Sequence, residues 1–173
     1  MKLESQVVPQ QIHDPYLYTE KKVQVCLEKY LEEDYYFSHE ILYFNGGEGE
    51  GSPWSNRENA VKDVMEYWEM EKEKITELHK SRNKHVHMYV KRGLCLFYML
   101  LFWSNSAPVV LSDWQHNIAT LSLKPINAEE RLSFIRQNSK LYHSFVQLRE
   151  LFQEQHKQFS KHLAISKLKK DKK

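Results

Sequence analysis

The sequence predicts an all-α fold, a compact bundle of five or six helices around a buried apolar helix near residues 84–103. Along most of the 173 residues, apolar side chains recur at intervals of three and four, the period of one helix face. Ten consecutive apolar residues, Leu94 to Trp103, stand in a chain whose mean hydropathy is −0.68. Strand-like runs are confined to residues 41–44 and 109–111. The length suits one hydrophobic core.

The first helix is predicted at residues 20–33, and a short aromatic segment, 35–44, follows it. Helical spacing supports the first of these, with apolar residues at Val23, Cys26, Leu27, Tyr30 and Leu31. Four of the five glycines then fall within residues 45–53. Such glycine density predicts a flexible surface loop.

The second helix is predicted to begin at Ser55, whose spacing from Glu58 matches a capping box. The third, over residues 84–103, carries the apolar run. A membrane-spanning helix needs about 20 apolar residues, whereas this run is bounded by charged residues before it and by Pro108 after it. The sequence therefore predicts a buried helix and no membrane span.

The last third of the chain predicts a short helix after Ser112 and a helix capped by Asn127 and Glu130, followed by one long helix. In the long helix, apolar residues recur from Leu141 to Phe152 in steps of three and four, and Phe159 follows two turns later on the same face. Residues 1–165 are thus predicted to form a single helical domain. The lysine-rich residues 166–173 have little to bury, which predicts a basic disordered tail.

Charge is distributed unevenly between the two parts of the chain. Residues 1–80 hold nine basic and seventeen acidic side chains, net −8, whereas residues 81–173 hold sixteen and six, net +10. Either the opposite charges of the two parts attract each other within the fold, or the basic part faces an acidic partner. Only two cysteines, Cys26 and Cys95, are present, and no secretory segment is recognised at Met1 to Gln10. We therefore expect a cytoplasmic protein with reduced thiols.

Motifs for catalysis or cofactor binding are weak, and we predict no catalytic residue and no cofactor. The glycine loop contains Glu48 and Glu50 and lacks the lysine of a phosphate-binding loop. His85 and His87 are two residues apart, so on a helix they point to different faces. No metal ligand is assigned. A metal-dependent helical enzyme with ligands from distant helices remains an alternative.

Polar side chains in the last two helices exceed what packing alone requires. Hydrogen bonds among Arg131, Gln147 and Glu154 would join the two helices, and the Tyr142 hydroxyl would lie at the rim of the core. They form either a structural polar network or a partner-binding patch. The candidate site consists of Glu130, Arg131, Tyr142, His143, Gln147 and Glu154.

Residues 127–161 also carry a family resemblance. The matching positions are Asn127, Glu130-Arg131-Leu132, Phe134-Ile135, Tyr142-His143-Ser144-Phe145, Gln147-Leu148, Leu151-Phe152, Glu154 and Lys157. On these residues the segment resembles the YpoC-like family, uncharacterised helical proteins of Gram-positive bacteria. The resemblance implies a helical bacterial protein and carries no activity.

The function predicted from the sequence is that of a non-enzymatic accessory module that binds another protein, since no reactive side chains converge. A nucleic-acid accessory protein is the main alternative, because residues 157–173 are rich in lysine. The aromatic residues of the longer basic segment 127–173 are Tyr142, Phe145, Phe152 and Phe159. They are expected mostly in the apolar stripe, which disfavours base stacking.

Overall fold

The computed structural model describes residues 2–172, so that Met1 and Lys173 lie outside the described part of the chain. Within that part the fold is mostly helical, with a small two-stranded sheet. Its elements are β1 (Glu4–Val7), β2 (Lys22–Val25), α1 (Ser38–Phe44), α2 (Arg57–Lys80), α3 (Val86–Ser104), α4 (Trp114–Ala119), α5 (Ala128–Gln137) and α6 (Tyr142–Asp171). The predicted all-α class is therefore wrong for the N-terminal segment.

The predicted first helix at residues 20–33 is replaced by an antiparallel hairpin. β1 pairs with β2 from Glu4 opposite Val25 to Val7 opposite Lys22. The residue that follows β2 is bonded to α1, because the Cys26 amide donates a 3.1 Å hydrogen bond to Ser38 Oγ at the start of that helix. Contacts of this kind override a local helical spacing.

The apolar run forms the centre of the core, as predicted. Every residue from Leu94 to Trp103 is buried, and α3 packs against α2 and α6. Gly93 permits the close approach, since an added Cβ would lie 2.8 Å from Leu148 Cδ2 and 3.0 Å from Trp68 Cζ3. No helix in residues 2–172 combines the length and the apolarity that crossing a membrane requires.

Neither predicted capping box forms. Ser55 Oγ donates to the Ser52 carbonyl at 2.7 Å, and α2 starts after Asn56 without a side-chain cap. Asn127 precedes α5 in the left-handed conformation, with φ 56°, and also makes no capping bond. An N-cap side chain normally reaches the first turn from an extended backbone, which Asn127 does not have.

Helix α6 continues to Asp171, through most of the segment predicted to be a disordered tail. Its last turns are attached to α2, because Lys167 Nζ donates to Glu58 Oε1 at 3.1 Å. The tail lysines are consequently displayed on a helix. Residues 45–56 join α1 to α2 outside regular secondary structure, and the predicted flexibility of this loop stays a prediction.

Candidate functional site

The side chain of Arg131 links α5 to α6. Its Nε donates to Gln147 Oε1 at 2.9 Å, and its Nη1 and Nη2 donate to the two carboxylate oxygens of Glu154 at 2.9 and 3.0 Å. Nη1 also donates to the Ile126 carbonyl at 3.2 Å. A guanidinium fork of this geometry fixes both the distance between α5 and α6 and their relative orientation. The outer face of the α5–α6 pair is therefore held in one arrangement.

Large apolar side chains are exposed at the turn between these helices. Phe134 is 36% exposed, Leu141 50% and Tyr142 56%. The ring of His143 packs edge-on against Phe134, with the centroids 5.5 Å apart. We name Phe134, Leu141, Tyr142 and His143 the corner surface. Apolar exposure grouped at one turn is typical of contact surfaces.

Five of the six residues of the predicted site belong to these two features. Arg131, Gln147 and Glu154 form the link, and His143 adjoins it with Nε2 3.5 Å from Gln147 Nε2. Tyr142 contacts the ring of His79 on α2, with the ring centroids 5.3 Å apart. Glu130 is exposed and takes no part in the link. The two predicted roles of these residues, partner binding and stabilisation of the fold, stay predictions.

A buried carboxyl group, Glu40, was missed from the sequence. Its Oε1 accepts hydrogen bonds from Trp103 Nε1 at 2.6 Å and from the Val109 amide at 3.3 Å, while its Oε2 has no partner in the described residues. Burial raises the pKa of Glu40 to about 7, against the lowering effect of the two donors. The available signal was a single acidic residue in the mostly apolar stretch 37–44.

An ion pair between Asp14 and Arg136 was also missed. Arg136 Nη2 donates to both Asp14 carboxylate oxygens, at 2.9 and 2.8 Å, and its Nη1 donates to the Tyr98 hydroxyl at 3.3 Å. The guanidinium lies 4.9 Å from the centroid of Trp114. The partners are 122 residues apart in sequence, and no local pattern pairs them.

Groups suited to metal binding do not assemble in the described residues, and the two cysteines are buried. No three histidine, cysteine, aspartate or glutamate side chains within 2–172 converge as metal ligands would. Both cysteines are buried thiols, and burial raises the pKa of Cys95 to about 12. The thiolate is the nucleophilic form of cysteine, so this thiol is inert at neutral pH.

Comparison with known proteins places this architecture in a family. The family model described as YpoC-like protein matches residues 58–167, well over half of the chain. The chain belongs to the YpoC-like family. It is 30% identical over 117 residues to "Uncharacterized protein YpoC" of Bacillus subtilis (strain 168), an alignment that covers 66% of this chain and 71% of the relative. No solved structure matches.

The resemblance found in residues 127–161 is thereby confirmed, and the family match extends over α2 and α3 as well. The corner surface and the Arg131 link lie inside the matched residues. Asp14 and Glu40 lie outside them, although their partners Arg136 and Trp103 lie inside. The hairpin and α1 are thus bonded directly to the family region.

Proposed function

We propose that this protein is a non-enzymatic accessory module of the cytoplasm that binds another protein through the corner surface. The observation that carries the proposal is the exposure of Phe134, Leu141 and Tyr142 around one turn. Buried free thiols fit a reducing compartment.

The chemistry of the surrounding side chains supports protein recognition. Protein interfaces are enriched in aromatic residues and arginine and are surrounded by a polar rim. Here the exposed aromatic side chains of Phe134 and Tyr142 lie on the same two helices as Arg131, whose fork is already occupied by Gln147 and Glu154. A partner would therefore meet a surface that needs little ordering, which lowers the entropic cost of association.

The test is site-specific photo-cross-linking in cells of the native host. A photoreactive phenylalanine analogue replaces Phe134 or Tyr142 in two variants and Met70 in a matched control, since Met70 is 51% exposed on α2. We expect one heterologous protein to be captured from positions 134 and 142 and not from position 70. Equal capture at all three positions, no capture, or capture of only a second copy of the chain would contradict the proposal.

A nucleic-acid accessory role is the second candidate, favoured by the lysines that α6 displays up to Asp171. Against it, Phe145, Phe152 and Phe159 are buried and offer no ring for base stacking. Phosphate contacts weaken steeply with salt. Salt-dependent binding of random DNA or RNA that disappears on deletion of residues 166–173 would favour this second candidate.

A further inference from the structure

The face of α6 that packs against α5 continues into the last turns of the helix, where it is uncovered. On this face Glu154 is bonded to Arg131 of α5. Four residues later, Gln158 Nε2 donates to the Lys124 carbonyl at 2.9 Å. Beyond Gln158, no side chain on this face bonds to another element within residues 2–172. The end of the face is therefore open to solvent.

This open part of α6, residues 161–172, which we name the arm, combines apolar and basic side chains on one side. Ile165 is 43% exposed and Leu168 62% exposed. Five residues lie within about 100° of the helix circumference: Lys161, Ile165, Leu168, Lys169 and Lys172. The three lysines among them are exposed and have no ion-pair partner in the described part of the chain. The arm thus presents an apolar stripe bordered by free positive charge.

The opposite side of the arm is attached to the rest of the molecule. Lys167 Nζ donates to Glu58 Oε1 of α2 at 3.1 Å, and Leu163 packs against the hydrophobic core. Lys167 and Leu163 are each two residues from Ile165, which is about 160° around the helix. These contacts fix the rotation of α6, so the apolar stripe points away from the helical bundle.

The loop before α5 lies against the same face of α6 and adds a further apolar side chain. Arg131 Nη1 donates both to the Ile126 carbonyl at 3.2 Å and to Glu154 Oε2 at 2.9 Å. Ile126 itself is 76% exposed. The acidic Glu129 that follows this loop is paired with Lys124 at 3.3 Å. The surface next to the arm is therefore compatible with an apolar, negatively charged partner.

We propose that the arm binds the surface of a lipid bilayer rich in anionic phospholipid, lying on the membrane without crossing it. Ile165 and Leu168 enter the boundary between headgroups and acyl chains, as the apolar face of an interfacial helix does. The lysine stems lie along the same boundary and place their ammonium groups among the lipid phosphates. Residues 161–172 hold five lysines and one acidic residue, and each lysine near an anionic bilayer adds to the attraction.

The apolar side chains favour a lipid surface over a nucleic acid. Contacts with nucleic-acid phosphates gain nothing from Ile165 or Leu168, because aliphatic side chains do not stack on bases as aromatic rings do. The arm contains no phenylalanine, tyrosine or tryptophan. A bilayer, by contrast, removes both apolar side chains from water. The effect of these two residues on binding therefore distinguishes the two kinds of partner.

Two variants of the full chain test the two parts of the contact. I165Q/L168Q removes the apolar stripe, and K161Q/K169Q/K172Q removes the charge, while glutamine keeps a good helix propensity. The matched control for the first is M70Q/M88Q, since Met70 is 51% and Met88 46% exposed on other helices. The matched control for the second is K62Q/K74Q/K80Q, which removes three exposed lysines of α2.

Co-sedimentation with vesicles is the measurement, with phosphatidylglycerol mixed into phosphatidylcholine or with phosphatidylcholine alone. We expect the unaltered chain and both controls to bind the anionic vesicles, and to bind the neutral ones at least about tenfold more weakly. Each arm variant should lose at least about tenfold in affinity for the anionic vesicles. Circular dichroism verifies folding, and L168Q alone replaces the double variant if that variant loses helix.

Four results would overturn the proposal. The first is an unaltered chain that binds no anionic vesicles but does bind random DNA, or binds neither. The second is equal affinity for anionic and neutral vesicles, and the third is a loss in the controls as large as that in the arm variants. The fourth is a folded I165Q/L168Q variant that binds as tightly as the unaltered chain. None of these results bears on the corner surface, which lies at the other end of α6.

Discussion

At the scale of single residues, Glu40 stands out, since it is a fully buried carboxyl with one oxygen that has no partner within residues 2–172. The protonated form suits this environment, because Oε2 can carry the proton while Oε1 accepts from Trp103 and Val109. The pKa of Glu40, raised by burial from 4.5 to about 7, makes folding take up a proton. The contribution of Glu40 to the free energy of unfolding is then fully present below about pH 4.5 and is lost as the pH rises through about 7.

We predict that E40Q removes this part of the pH dependence. Between pH 4.5 and 7.5 the free energy of unfolding of the unaltered chain should fall, relative to E40Q, by on the order of 3 kcal/mol. Urea denaturation of both proteins at several pH values measures the difference. Burial lowers the pKa of the neighbouring His39 to about 4, so the contribution of His39 to stability is lost as the pH falls. Both proteins contain His39, and its effect therefore cancels when E40Q is compared with the unaltered chain.

The control for this prediction is E73Q, which alters an exposed glutamate of α2. Its stability should follow that of the unaltered chain across the same pH range. A pH dependence in E40Q that parallels the unaltered chain would mean that Glu40 is already charged in the folded protein near pH 5.

At the scale of the elements, the long helices follow from the sequence and the short ones do so less well. α2, α3 and α6 carry apolar residues at helical spacing over many turns, and repetition makes the period unambiguous. Residues 20–33 have the same spacing over only a few turns, and contacts of β2 with β1 and α1 decide their structure instead. The contact of Arg131 with Gln147 and Glu154 was also foreseeable, since those polar side chains lie on two adjacent helices.

We predict that R131K and R131M destabilise the protein by similar amounts, about 1–2 kcal/mol. Lysine keeps the charge of Arg131 but cannot reproduce a fork that bonds Gln147 and both oxygens of Glu154. Guanidinium denaturation measures the loss of stability. Hydrogen exchange should locate it, with faster exchange of the amides of α5 than of α3.

The charge-matched control is R149K, because Arg149 also lies on α6 and contacts the Phe145 ring at 5.0 Å. We expect its stability to change by less than that of R131K. If R131K were as stable as the unaltered chain, positive charge alone would account for the link between α5 and α6.

At the scale of the whole molecule, the N-terminal segment is joined to the helices by polar bonds that cross the core. Asp14 bonds Arg136, and Glu40 bonds Trp103. These pairs could not be foreseen, because each joins residues far apart in the chain with no repeating pattern between them. The buried run Leu94 to Trp103, by contrast, was foreseeable from its length and apolarity alone.

We predict that D14N costs about 3–5 kcal/mol of the free energy of unfolding. The amide keeps Oδ1, which accepts from the Tyr16 and Leu17 amides at 2.9 and 2.7 Å, so the local turn is preserved. Removal of the carboxylate leaves the guanidinium of Arg136, whose side chain is 12% exposed, without its counter-charge. Leaving a buried charge unpaired costs more than losing a surface ion pair.

A double-mutant cycle with R136M isolates the pair, because the double variant leaves no buried charge at this position. D14N/R136M should be more stable than D14N, although it has one substitution more. The control D113N changes an exposed aspartate that precedes α4 and should cost less than about 1 kcal/mol. A D14N variant as stable as this control would show that the hairpin and the turn at Asp14 are held to the helices by apolar packing, and that Arg136 is satisfied by Tyr98 and the ring of Trp114.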